Sequence, residues 1–100
     1  MNIPVSLEEF LKTCQNVHPS EDWPKGLQAL WYDAKGNWNA SHDIAQDMSS
    51  ILGSWIHAYL HRKEGDQFNA NYWYRRANRE YPNLTLDEEL KILVEYVINN

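Results

Sequence analysis

Cysteine is almost missing from this chain, and its scarcity removes several chemistries at once. Cys14 stands alone, so no internal disulfide can form and no cysteine-based zinc cluster can be built. It falls at an apolar position of the first expected helix. Neither a histidine nor a helix N-terminus lies nearby in sequence to lower its pKa, so a small core residue is expected there rather than a nucleophile. Glycine and proline are sparse as well, four of each, and nearly all fall at turns or helix ends. No Gly-rich phosphate loop or Gly-x-Ser-x-Gly elbow is present. Long apolar runs are also lacking. Met1 is followed by Pro4 and a Glu pair rather than a basic segment, so neither a signal peptide nor a membrane span is expected, and a cytoplasmic location follows.

Positive charge is in deficit. Nine Lys and Arg against 14 Asp and Glu leave a formal net charge of −5. Binding to a phosphate backbone needs a basic face. The clusters His61-Arg62-Lys63 and Arg75, Arg76 and Arg79 make only a local patch, so no nucleic-acid partner is expected, whereas a small anionic ligand remains compatible. What the chain does have is aromatic bulk. Five Trp and six Tyr supply much of the apolar area that one domain of this length must bury. A single helical domain over residues 1–100 is therefore expected.

The punctuation is helical. Ser6-Leu7-Glu8-Glu9 reads as a capping box, followed by Leu7, Phe10, Leu11, Cys14 and Val17 at helical spacing until His18-Pro19 stops the run. Pro24 opens a second helix with Leu27, Leu30, Trp31 and Ala34 as its stripe, and Gly36 ends it. Asn37 caps a third helix, with Trp38, Ser41, Ile44, Ala45 and Met48 on one face. Ser49 or Ser50 starts a fourth that runs to about Glu64, and Gly65 stops it. Asp66 caps a fifth, expected to end near Arg79. Thr85-Leu86-Asp87-Glu88 is a second capping box, leading into Leu86, Leu90, Leu93, Val94, Val97 and Ile98. No segment alternates with the period of a strand. The expected fold is all-α, a bundle of about six helices.

A weak internal repeat runs through the middle four helices. Gly36-Asn37 and Gly65-Asp66 are equivalent turns. Each is preceded seven residues upstream by Ala29 or Ala58, and followed five residues downstream by Ser41 or Ala70. Small residues at those points let helix axes approach closely, which describes two αα-hairpins in tandem. Gly65-Asp66-x-x-x-Ala70-x-x-x-Tyr74-x-x-Ala77 resembles the second half of a tetratricopeptide repeat, with Ala29, Tyr32, Gly36 and Ser41 as a fainter copy.

The chain also resembles a family of short bacterial proteins without an assigned activity. The shared pattern is Leu30-Trp31-x-Asp33-Ala34-Lys35-Gly36-x-Trp38, Ala40-x-His42, and His57-Ala58-Tyr59-Leu60-His61-Arg62 through Ala77. That resemblance implies the helical fold and the choice of surface, and no reaction.

Candidate chemistry concentrates on two helices. His57 and His61 are four apart, so both imidazoles project from one side of the fourth helix, with Glu64 beside them. Ile51, Leu52, Trp55 and Tyr59 centre on the opposite arc. His42 in the preceding helix can supply a further ring. Such a set has metal-site geometry, yet the Glu of a zinc-protease helix is replaced by Ala58, and hydrogen-bonding histidines are the preferred reading, with no metal and no cofactor expected. On the fifth helix Ala70, Trp73, Tyr74 and Ala77 form a core seam. Phe68, Tyr72, Arg75 and Arg79 lie on the other side, either packing under the last helix and pairing with carboxylates or facing an anionic ligand. Asp33 lies opposite the second helix's stripe, placed to orient a histidine or to hydrogen-bond Trp38 or Lys35.

The functional expectation is a non-enzymatic binding or interaction module. Its ligand- or partner-binding residues are His42, His57, His61, Arg62, Tyr72 and Arg75, and its partner is a protein or a small anionic ligand. A small metal-dependent or histidine-based enzyme using the His57/His61 face is the alternative. A structural homodimer is the third.

Overall fold

The computed structural model describes residues 3–99. They form six α-helices and, among the described residues, no strand: α1 (Leu7–Lys12), α2 (Lys25–Ala34), α3 (Trp38–Asp47), α4 (Ile51–Lys63), α5 (Gln67–Arg76) and α6 (Leu86–Ile98). No helix among them is long and apolar enough to cross a membrane.

Local signals set most of the boundaries. Asn37, Ser50, Asp66 and Thr85 each cap a helix by accepting a hydrogen bond from the backbone amide three residues on, which satisfies one of the amides a helix start leaves unpaired. At Thr85 the box is complete, because the Glu88 carboxylate also takes the Thr85 amide at 2.8 Å. At α1 it is half made. Ser6 accepts from the Glu9 amide, but the Glu9 carboxylate reaches Val5 rather than Ser6. The paired turns are equivalent in three dimensions. Gly36 and Gly65 both adopt φ +87°, and the residue after each donates its amide to the carbonyl five back, Asn37 to Tyr32 and Asp66 to His61. This is the left-handed helix stop that glycine makes without steric penalty.

α2 packs on α3 and α4 on α5, α3 joins the two hairpins through α4, and α6 closes the bundle against α1, α2 and α4. The small residues of the repeat sit at the crossings, with Ala29, Ser41, Ala58 and Ala70 fully buried. The Ser41 hydroxyl donates to the Ala29 carbonyl at 2.6 Å. α4 is the central element, and every residue from Trp55 to Leu60 is buried. The expected apolar arc on one side of it is therefore too narrow a description, and Ile51 at its start is exposed. One further close approach ties α3 to α4. A Cβ at Gly53 would stand 2.6 Å from both the Cβ and the backbone oxygen of Met48.

Three expectations need correction. The first helix was expected to run to His18, but α1 ends at Lys12 and a single 3-10 turn, Thr13–Gln15, follows. Side chains from α2 and its C-cap capture the carbonyls: Trp31 Nε1 donates to Thr13 O and Lys35 Nζ to Cys14 O. Val17 consequently lies 90% exposed, and Cys14 is half-buried against the core rather than within it. Burial raises the Cys14 thiol pKa, with a smaller opposing effect from Lys35.

The fifth helix stops at Arg76 rather than near Arg79. Asn78 adopts φ +59°, a left-handed conformation that asparagine tolerates. Nor do Phe68 and Tyr72 pack beneath α6. Phe68 is 84% exposed and Tyr72 about half exposed, because α6 lies against other helices.

Candidate functional site

Three polar clusters are built into the bundle, two of which pair a carboxylate with donors. In the first, Asp33 is buried instead of facing outward from α2. It takes neither a histidine nor Trp38 nor Lys35. Tyr59 OH donates to its Oδ2 at 2.9 Å and Lys63 Nζ to its Oδ1 at 2.8 Å. In the second, Glu89 from the first turn of α6 is buried among three helices. Tyr74 OH donates at 2.6 and 2.7 Å, and Trp55 Nε1 at 3.2 Å. Arg62 Nε forms an ion pair with Glu89 at 3.4 Å, while its terminal nitrogen donates to Leu84 O. Burial, reinforced by the facing carboxylates, pushes both tyrosine hydroxyls far above their ordinary pKa. Each cluster brings opposite partners together, which is how buried charge is tolerated.

The third cluster is different. His42 on α3 and His57 and His61 on α4 bring three imidazoles into mutual contact. Ring centroids lie 4.5 Å apart for His42–His57, 4.9 Å for His57–His61 and 5.3 Å for His42–His61. The Nε2 atoms of His42 and His57 are 2.9 Å apart, a hydrogen bond only if one ring carries a proton there and the other does not. The helical period produces the stacking within α4, where His57 and His61 lie at 23° to one another. The same four-residue spacing in α3 lays Trp38 over His42, centroids 4.8 Å apart. Trp73 from α5 covers His57 on its other side at 3.9 Å and 15°. The Trp38 indole is itself held, donating Nε1–H to Leu60 O at 2.8 Å. His61 is oriented from outside the cluster by Glu64, whose Oε1 lies 2.7 Å from Nδ1, with Asp66 Oδ2 at 3.9 Å.

His57 is buried, while His42 and His61 are half-buried. Desolvation depresses the His57 pKa to about 4, with His42 and His61 adding to the effect. His42 is lowered for the same reasons, burial first and His61 second, partly offset by Asp43 and Glu64. One nitrogen from each ring falls within 4.8 Å of the others. Burial and the neighbouring rings thus disfavour a second proton on His57 and His42, and the three clustered nitrogens suit coordination or proton sharing.

Of the six residues expected to bind a ligand or partner, the structure brings His42, His57 and His61 together. Tyr72 adjoins them through the edge of Trp73 at 5.2 Å, where Arg76 lies over both rings. Arg75 is exposed on α5, outside the cluster. Arg62 turns away toward Glu89 and Leu84. Trp38 and Trp73, placed on apolar faces by periodicity, do pack against the core, and each also forms a wall of the histidine cluster. The i,i+4 relation of Trp38 to His42 carried that signal, whereas nothing local marked Trp73. Arg79 stands 3.4 Å above the Trp55 ring, off the site altogether.

Scans of the chain against protein-family models, curated proteins and solved structures return no match.

Proposed function

We propose that this protein is a small, non-enzymatic binding module whose recognition site is the His42–His57–His61 cluster between Trp38 and Trp73. Two tandem hairpins, stacked in the manner of tetratricopeptide repeats, would present that site on α3, α4 and α5. The observation that carries the proposal is the clustering of three like bases within one partly buried contact. Such clustering serves packing poorly, because His42 and His61 both make His57 harder to protonate and only one hydrogen bond joins His42 to His57. Groups strained in this way concentrate at binding sites. Tyr72 continues the aromatic wall, and Arg75 and Arg76 place positive charge on the same helix. That favours a small ligand that accepts imidazole lone pairs or an anionic group of a protein partner, rather than a nucleic acid.

The test needs no knowledge of the ligand. A binding site is maintained at some expense to stability, whereas a structural cluster contributes to it. His42→Leu and His57→Phe should leave the melting temperature of chelator-treated protein unchanged or raise it. A fall as large as that caused by breaking either carboxylate cluster would show that the histidines serve the fold and would sink the proposal.

A further inference from the structure

The ligand of this site can be named by class, and the inference rests on the binding-site proposal above. We propose that His42, His57 and His61 form a three-imidazole site for a divalent transition-metal ion of the zinc class, with a fourth position left for an exogenous ligand. The donor set selects the ion. Three neutral nitrogens suit zinc, copper(II), nickel or cobalt, and suit calcium and magnesium poorly, since those prefer oxygen.

The spacing is close to what such an ion needs. Imidazole nitrogens bind zinc at about 2.0–2.1 Å, so two of them on a tetrahedral ion stand roughly 3.3 Å apart. The Nε2 atoms of His42 and His57 are already 2.9 Å apart, and one nitrogen from each of the three rings lies within 4.8 Å of the other two. A small parting of α3 from α4 admits the ion. Protons balance without release. The ring that holds the bridging proton on Nε2 returns it through solvent to its own Nδ1, stays neutral, and frees the Nε2 lone pair for the metal.

The surroundings hold the donors in place. Glu64 accepts from Nδ1 of His61 at 2.7 Å, which fixes the tautomer that leaves Nε2 unprotonated, as carboxylates behind metal-bound histidines do. Trp38 and Trp73 lie flat on His42 and His57 and restrict their rotation. All three donors stand on helices, with two helical turns between His42 and the α3 C-cap. A second grouping, His61 with Glu64 and Asp66, also gathers possible ligand atoms. Asp66, however, already accepts from the amide and the side chain of Asn69 as the cap of α5. The three-histidine set is therefore preferred. Three protein donors, two of them on the partly buried rings of His42 and His61, leave a fourth position for a further ligand, the arrangement of a metal that takes one up.

The experiment is titration of the full chain, purified without a tag and stripped with a chelator, with cobalt(II) and then zinc. The expected result is one equivalent of cobalt with the intense visible bands of a four-coordinate ion, displaced by zinc. Side-chain nitrogen NMR shifts should move at His42, His57 and His61 and not at His18. Glu64→Gln should weaken binding about 10–100-fold, and His42→Ala should weaken it further. His42 is only partly buried, so that variant should fold; the NMR readout in the unsubstituted chain stands even if it does not.

Absence of saturable binding would overturn the metal assignment. So would binding that leaves the His42 and His57 resonances unmoved, which would locate the ion at His18 or the Glu64–Asp66 group instead. Failure here combined with stability-neutral His42→Leu and His57→Phe would leave the binding-site proposal standing with another ligand. A large stability loss in those variants would remove that proposal by itself.

Discussion

The Glu89 and His42–His57–His61 clusters both draw side chains from α4, yet they obey different rules. Around Glu89, donors face an acceptor: two neutral donors, a guanidinium and a carboxylate meet from three helices, with Arg62 Nε held by ion contact at 3.4 Å and no hydrogen bond. Around His57, three copies of the same base share one hydrogen bond, and the rings are held by flat indoles as much as by polar partners. The first set is matched donor to acceptor, while the second is built from groups of one kind. Buried polarity by itself is thus ambiguous, and the match between partners is what separates the two clusters.

Breaking the complementary side should have the largest effect. Glu89→Ala leaves Arg62 buried without its counter-charge, and loss of one member of such a pair costs about 3–5 kcal/mol. Urea unfolding should show it, and a loss below about 1 kcal/mol would demote the cluster to a surface-like ion pair.

Acid should act next, and on the histidine side. The folded pKa of His57, about 4, lies below its ordinary value of 6.5. Between those limits the unfolded chain binds more protons than the folded one, so stability falls as pH drops from 6.5 toward 4. For metal-free protein the His57 share is at most about 3 kcal/mol. His57→Phe should flatten that part of the pH–stability curve. An unchanged slope would show that His57 is not held neutral.

Asp33→Asn should cost less, about 1–3 kcal/mol, because Lys63 is partly exposed and can find water. A double-mutant cycle with Tyr59→Phe should return a clear coupling energy, and additive losses would mean that the 2.9 Å contact contributes nothing of its own. The smallest effect is expected at the histidines under neutral conditions, with His57→Phe within about 1 kcal/mol of the parent. A larger loss would erase the contrast between the two clusters.

Much of the architecture was legible because its determinants are local. Caps act over three residues and glycine stops over five, so Asn37, Ser50, Asp66, Thr85, Gly36 and Gly65 announced the helix boundaries without reference to the rest of the chain. Apart from the end of α5, where Asn78 turns left-handed, the failures share a longer range. Beyond α1 the carbonyls of Thr13 and Cys14 go to donors 18 and 21 residues away, and no local pattern encodes that. Asp33 was read as outward-facing from the period of its own helix, but Tyr59 and Lys63 arrive from α4.

The site divides in the same way. His57 and His61 were legible from their four-residue spacing, and His42 from its position one helix earlier. Trp73 was not, since its contact with His57 joins different helices. For Phe68 and Tyr72, packing beneath α6 and facing a ligand were both open, and the packing of α6 on other helices left them uncovered.

Gly53 gives the histidine cluster a mechanical property. It sits one helical turn before His57, and its missing side chain lets Met48, at the end of α3, press directly on α4. Gly53→Ala would wedge those backbones apart without touching an imidazole. Because α3 and α4 are stiff rods joined at that point, the wedge works as a lever whose far arm carries His42. A methyl group added at the fulcrum should thus loosen the His42–His57 contact, making the gap between the rings adjustable from a residue that touches neither ring.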